Sequence, residues 1–174
     1  QSQVEQVSGI VKERMDAVVL CNGIHYISDK ERLLGDVYNT LKPGGLFAFN
    51  TSFFQSDQDP EVIHFLRRWM FCALRILKTK HGIMPKPDKV ESRKQLTADQ
   101  YRELLHQHGF IISREEIEAV QVPIRGWLDI SRYADFIEGT LPGVPLKMAS
   151  EVLREAVHRT FRDLSLQTVP RNWL

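Results

Sequence analysis

The side chains best suited to chemistry fall in two short runs. The first, Asn22-Gly23-Ile24-His25-Tyr26, offers an amide, a glycine that lets a ligand approach the backbone, an imidazole and a phenol. The second, Asn50-Thr51-Ser52-Phe53-Phe54, offers another amide, two hydroxyls and two aromatic rings. Imidazole titrates near neutrality, so His25 is a candidate general base for taking a proton from a bound acceptor. Asn22, Asn50, Thr51 and Ser52 could orient a polar ligand by hydrogen bonds. Plainer readings stand beside these. Asn22-Gly23 is also ordinary turn chemistry, His25 could bond a backbone carbonyl, and Tyr26, Phe53 and Phe54 could be core.

Each run follows an apolar segment that would position it. Ala17–Cys21 is continuous and rich in β-branched residues, the pattern of a strand buried on both faces. Leu46–Phe49 is short and wholly apolar and reads as a second buried strand. Between them Ser28 stands three residues before Glu31, the capping-box spacing, and opens a helix. Leu34, Val37, Tyr38 and Leu41 recur at three- and four-residue steps and give that helix one apolar face. Lys42 suits the negative end of the helix dipole, and Pro43-Gly44-Gly45 ends the helix. Strand, helix and strand with short joints form a βαβ unit, parallel in nearly all known cases. In open α/β sheets ligands bind beyond the carboxyl ends of the strands, where both polar runs lie.

Further along, Asp57-Gln58-Asp59-Pro60 is an acidic turn with Pro60 at a first helical position. Glu61–Lys78 is strongly helical. Val62, Leu66, Trp69, Met70, Ala73 and Leu77 share one stripe, and Arg67, Arg68, Arg75 and Lys78 lie largely off it. These cations read as a solvated face, with a lipid- or partner-binding stripe as the alternative. Thr79–Gln95 is basic, contains two prolines and reads as a long loop of the kind that flaps over a site. Thr97-Ala98-Asp99-Gln100 is a second capping box. It opens a helix with Tyr101, Leu104 and Leu105 on one face that ends at Gly109. Phe110–Ile112 begins a strand running to Val122 with a charged break at Arg114-Glu115-Glu116. Pro123–Trp127 reads as a loop, Ser131–Glu138 as a helix and Pro142–Pro145 as a turn. In a last helix Met148, Val152, Leu153, Ala156, Thr160 and Phe161 share a face, and Leu166–Leu174 has strand character.

The totals narrow the function classes. A chain of 174 residues with 43% hydrophobic content suits one soluble domain. The formal net charge of +1 argues against bulk attraction to nucleic acid or acidic lipid. No apolar stretch is long enough to span a bilayer. Cys21 and Cys72 both sit in apolar runs and read as small core residues in a reducing, cytoplasmic setting. Gly-x-Gly-x-x-Gly, a Walker loop, Gly-x-Ser-x-Gly, Cys-x-x-Cys and His-Glu-x-x-His are all missing, and nothing points to a metal. Gln1–Arg14 is polar apart from Val4, Val7, Ile10 and Val11. A domain rarely begins one step before an interior strand, so the N-terminal end is expected to be cut from a larger domain, and the C-terminal end too, because Leu166–Leu174 stops in mid-pattern.

The stretches Asp16–Cys21, Asn22–Tyr26, Asp29–Leu41 and Leu41-Lys42-Pro43-Gly44-Gly45 together resemble the second half of class I S-adenosylmethionine-dependent methyltransferases. Thr97–Phe110, a capped helix ending in Gly-Phe, is similar to that family's next helix–strand step. The likeness is close over Asp16–Phe54, fair over Leu96–Ile112 and loose over Pro123–Leu174. It implies an α/β fold: a Rossmann-like sheet of which this chain holds the fourth to seventh strands, with helices on both faces. Residues 1–174 would form a single methyltransferase-like domain, with a lid-like helical insertion and loop over 57–95 and a second helical insertion over 127–164.

The resemblance also implies methyl transfer from S-adenosylmethionine to a small-molecule acceptor, with no nucleic-acid partner. Cys21, Asn22 and Gly23 would lie against the methionine part of the cofactor with Tyr26 beside them. His25, as catalytic base, would face the methyl group together with Tyr26. Thr51, Phe54, Trp69, Trp127 and Tyr133 would wall the acceptor pocket. The family's glycine-rich loop and its ribose-binding acid have no counterpart in the 174 residues. The chain alone is therefore expected to bind the cofactor weakly. The alternative is a non-catalytic interaction or oligomerisation module, pairing with another copy or with an N-terminal segment. A nucleotide-dependent oxidoreductase is disfavoured by Leu41–Gly45 and by the missing dinucleotide fingerprint.

Overall fold

The computed structural model describes Gly9 and residues 13–56, 59–85 and 95–174. The readings made above for the rest of residues 1–12, for Asp57-Gln58 and for residues 86–94 fall outside them. The chain divides into two compact units. One contains the described residues of 1–56 and 91–118 plus Asn172–Leu174; the other contains those of 57–90 and Ala119–Arg171.

In the first unit β1 (Met15–Cys21) and β2 (Leu41–Asn50) pair in parallel, with Ala17 opposite Leu46 and Cys21 opposite Asn50. A single 3-10 turn at Ile24–Tyr26 and helix α1 (Lys30–Thr40) connect them, so the expected βαβ unit is present. Asp29 rather than Ser28 caps α1, its carboxylate accepting from the Arg32 N–H at 2.9 Å. A carboxylate one residue closer to the helix both fills an orphan donor and faces the positive end of the dipole. Met15 pairs with Leu41 but Ala17 with Leu46, so Lys42–Gly45 bulges out of the ladder. Gly44 takes φ 76° there, and a Cβ on Gly45 would lie 2.9 Å from the Lys42 carbonyl and 3.1 Å from that of Asp16. Both obstacles are backbone. Gly45→Ala is therefore expected to cost about 1–3 kcal/mol in urea unfolding.

The strands are not buried on both faces. Val18, Leu20, Phe47 and Phe49 are partly covered, whereas Val19 is 66% and Leu46 65% exposed. The cover comes from one side. Phe110, following α3 (Ala98–Gln107), meets both Tyr38 of α1 (5.5 Å) and Phe47 (5.6 Å), and Tyr101 of α3 meets Phe49 (5.5 Å). Among the described residues nothing buries the opposite face, and Cys21, which points to it, is exposed rather than core. Thr97 caps α3 with the full reciprocal box, and Gly109 ends it at φ 82°. The strand expected from Phe110 starts only at Glu118, and Ile111 is 94% exposed. A β-prone triplet stays irregular when no neighbouring strand receives its hydrogen bonds and the charged run Arg114–Glu116 follows it.

Ile24, Phe54 and Tyr101 form one buried cluster of this unit, with Leu20, Leu33, Phe49 and Leu96 against it, and Leu34, Val37 and Leu41 are buried as well. The Tyr101 hydroxyl is buried with no hydrogen-bond partner among the described residues, and burial pushes its pKa up to about 12. The unfolded phenol titrates near 10. This stability contribution is therefore complete below about pH 10 and is lost as pH climbs toward 12, by about 1–2 kcal/mol after solvent screening. Tyr101→Phe removes an unsatisfied group. It is expected to raise stability by about 1 kcal/mol at neutral pH and to flatten the alkaline loss, read as urea midpoints at pH 8 and 11.

The second unit is mainly helical. Asp59 caps α2 (Pro60–Ile76), with Pro60 in the first turn. The helix does not end at Lys78 but widens into a π-turn, Leu77–His81, closed by Gly82 at φ 66°. The following segment therefore starts later than the expected Thr79, because buried Leu77 holds the extra turn against the core. A helix, α4 (Ile124–Ile130), replaces the loop expected around Trp127. The Trp127 side chain is buried, and Ser131 Oγ donates to its carbonyl at 2.7 Å. Next come α5 (Ala134–Thr140) and α6 (Leu146–Asp163), which buries Ala149, Val152, Leu153, Ala156, Val157, Thr160 and Phe161. Strands β3 (Glu118–Pro123) and β4 (Thr168–Trp173) pair with each other. The architecture is thus α/β, but the four strands among the described residues form two separate pairs instead of four members of one sheet.

Candidate active site

Because β1 and β2 run parallel, their carboxyl ends lie side by side and bring the two polar runs together. Asn22 sits at φ 46°, a left-handed conformation that asparagine tolerates better than most residues. Its backbone N–H donates to the Asn50 carbonyl (3.1 Å) and to Asn50 Oδ1 (2.7 Å). Its own Oδ1 accepts from the Ser52 N–H (3.0 Å) and hydroxyl (3.3 Å). The two amides therefore staple the strand ends together: the Asn50 side chain holds the Asn22 backbone 28 residues away, and the Asn22 side chain holds Ser52 30 residues away.

Beside the staple, His25 Nδ1 and Thr51 Oγ1 share a buried hydrogen bond of 3.0 Å. The same Oγ1 accepts from the Phe53 N–H at 3.1 Å. Thr51 is fully buried and exchanges both backbone hydrogen bonds with Leu174, at 2.9 and 3.0 Å. Its hydroxyl is thus fixed by the main chain on both sides. The His25 ring lies 4.0 Å from the Tyr26 ring and 4.3 Å from that of Phe53. Tyr26 is 40% exposed, so the cluster runs from buried imidazole to accessible phenol. At its edge the Lys30 ammonium donates to the Ile27 carbonyl at 2.6 Å, and burial lowers its pKa.

Of the residues singled out from the sequence, Cys21, Asn22, Gly23, His25, Tyr26 and Thr51 come together at these strand ends. Phe54 lies just behind them in the core with Ile24 and Tyr101. Trp69 and Trp127 are interior to the second unit, their rings 5.6 Å apart, and the Trp69 indole N–H donates to the Leu153 carbonyl at 3.0 Å. Tyr133, in the same unit, is 65% exposed. The joint roles of Asn50, Ser52 and Phe53 were not assigned from sequence. Their only signal was position, immediately after an apolar strand. Lys30 gave no signal. No group of three or more His, Cys, Asp or Glu suited to a metal occurs among the described residues.

A parallel strand–helix–strand unit with polar residues gathered at the carboxyl ends is the ligand-binding end of an open α/β layer. Residues 1–49 match the model of a methyltransferase domain family, over a stretch that includes β1, the site turn, α1 and nearly all of β2. The methyltransferase resemblance is borne out over that stretch, which is similar to a methyltransferase domain.

No curated protein matches the chain. Solved structures similar to it include a Haemonchus contortus phosphoethanolamine N-methyltransferase 2, in complexes with phosphomonomethylethanolamine and S-adenosylhomocysteine and with S-adenosylmethionine. In both, identity is 15% and the TM-score 0.40, with 91% of this chain and 32% of the other covered. A putative methyltransferase of Bacillus halodurans is similar at 10% identity and TM-score 0.44, with 92% and 61% covered. The chain thus spans about a third of the length of the former and less than two-thirds of the latter.

Proposed function

We propose that the chain forms part of an enzyme that transfers a methyl group from S-adenosylmethionine to a small-molecule acceptor, with its site at the ends of β1 and β2. The observation that carries this reading is the coincidence of the methyltransferase family match with the βαβ unit whose strand ends gather the polar cluster. The cluster of Asn22, His25, Tyr26, Thr51 and Phe53 contains no acid, and its aromatic faces suit a sulfonium cation. When bound, the cofactor supplies an electrophilic methyl carbon on that sulfonium.

The protein's part is alignment, exclusion of water and removal of a proton. Cys21–Gly23 would hold the methionine end through backbone groups fixed by the Asn22–Asn50–Ser52 staple, with Tyr26 alongside. Thr51 and Phe54 remain the proposed acceptor-side residues of this unit. His25 Nε2 would take the proton that the acceptor oxygen or nitrogen gives up on methylation. That requires the tautomer in which Nδ1–H donates to Thr51 Oγ1, which the 3.0 Å contact accommodates.

The 174 residues hold no glycine-rich loop and no ribose-binding acid. We accordingly expect the chain alone to bind S-adenosylmethionine weakly and the product of the complete gene to bind it well. Two free cysteines fit a reducing, cytoplasmic setting. Among the described residues no helix is long and apolar enough to cross a membrane. A second reading, a non-catalytic interaction or oligomerisation module, draws on the uncovered face carrying Val19 and Leu46. Calorimetric titration of the complete gene product with S-adenosylmethionine separates the two. A binding isotherm supports the enzyme; no heat of binding leaves the module.

A further inference from the structure

The helix α2 buries Val62, Phe65, Trp69, Ala73 and Ile76 and turns its other side to solvent. At about 100° per residue the exposed positions Glu61, His64, Arg67, Arg68, Phe71, Arg75 and Lys78 fall on one face. From Pro60 to His81 the chain holds five lysines and arginines and one acid, Glu61, in the first turn. The net charge of +1 for the whole chain conceals this segregation. Two of the cations are paired across to α6: Arg68 with Asp163 at 2.7 Å and Lys80 with Glu155 at 2.9 Å, Glu155 being shared with Arg159. Arg67, Arg75 and Lys78 have no ion pair among the described residues. Amid them Phe71 is 58% exposed, with the Arg68 guanidinium 6.0 Å from its ring.

We propose that this face docks on an anionic lipid bilayer, with Arg67, Arg75 and Lys78 against the headgroups and Phe71 reaching between them toward the acyl chains. Each cation near an anionic membrane strengthens binding several-fold, and an exposed aromatic ring ringed by cations suits the boundary between headgroup and chain. A nucleic acid would use the same cations, but the face offers one phenylalanine rather than a row of rings for stacking, and no amide to read bases. The docking is peripheral, because the apolar side of α2 is already spent on the protein core.

The test is co-sedimentation of the intact chain with vesicles of phosphatidylcholine containing 30% phosphatidylserine by composition (~0.3 mole fraction), against pure phosphatidylcholine. Binding is expected only to the anionic vesicles and should be lost when salt is raised from about 0.1 M to about 0.5 M. The triple variant Arg67→Glu, Arg75→Glu, Lys78→Glu should lower partitioning at least about 100-fold, and Phe71→Ser about 10-fold. Arg125→Glu, an exposed reversal on α4, should change it no more than about 3-fold. Every substituted side chain is exposed, and far-UV circular dichroism with tryptophan emission confirms that each variant is folded. Failure to bind anionic vesicles, equal binding to the neutral ones, or an unaffected triple variant overturns the proposal. So does binding of an RNA duplex at the same salt, lost in the triple variant, without vesicle binding.

Discussion

Trp69→Ala is expected to lower stability by about 4 kcal/mol, within the usual range for removing a buried tryptophan. Trp69 is 2% exposed, and its ring contacts Phe65 (5.8 Å), Trp127 (5.6 Å) and Phe136 (5.9 Å). Alanine would leave a void that these rings, pinned on three different helices, can only partly close. It would also leave the Leu153 carbonyl without the indole donor it now has at 3.0 Å. Trp69→Phe keeps most of the ring volume and loses only the donor, so it should cost about 1–2 kcal/mol. Urea unfolding followed by far-UV circular dichroism measures both. Since small domains have only about 5–15 kcal/mol in reserve, the alanine variant should unfold near physiological temperature. A loss under about 1 kcal/mol would mean that the helical unit is organised around some other residue.

The second large effect concerns chemistry. In the complete gene product His25→Ala should lower kcat by about 10²–10⁴-fold, the usual contribution of a positioned general base. Affinity for S-adenosylmethionine should stay within about 3-fold, because backbone groups of Cys21–Gly23 do the holding in this account. Thr51→Val keeps the shape of the side chain and removes the oxygen that fixes Nδ1. It should lower kcat less than His25→Ala does and leave KM for the acceptor nearly unchanged. Single-turnover assays with methyl-labelled cofactor separate the two variants. Unchanged turnover in His25→Ala would remove the imidazole from the mechanism.

The parts of the fold legible from sequence were those governed by neighbours along the chain. Thr97 and Gln100 are three residues apart, and the capping box they form is visible as a spacing. Pro43-Gly44-Gly45 announces a break in the regular backbone, but α1 already ends at Thr40 and the break falls as a bulge within β2, where Gly44 takes a positive φ and Gly45 has no room for a Cβ. What depends on distant partners was hidden. Val19 is apolar and β-branched, which says that it suits a strand but not whether anything covers it. Phe110–Ile112 has strand propensity but pairs with no strand among the described residues. Around Trp127 the short apolar pattern is interrupted by Pro123 and Gly126 and reads as a loop, until the buried indole shows why the chain coils there.

The site divides in the same way. That polar residues follow each apolar strand was plain from the sequence. That Asn22 bonds Asn50 and Ser52, and His25 bonds Thr51, was not, because each pair lies 26 to 30 residues apart and meets only through the parallel register. The staple also alters the expected division of labour: Asn22 spends its side-chain oxygen on Ser52 and its backbone N–H on Asn50, so its contribution to a ligand is left to its backbone carbonyl and amide nitrogen.

The central claim is that the carboxyl ends of β1 and β2 hold the cofactor. Amide hydrogen exchange on the complete gene product, with and without saturating S-adenosylhomocysteine, tests it directly. The account predicts slowed exchange concentrated in Cys21–Tyr26 and Asn50–Phe54, with little change across α6. Ligand-dependent protection that bypasses both segments, or no protection anywhere at saturation, would contradict it.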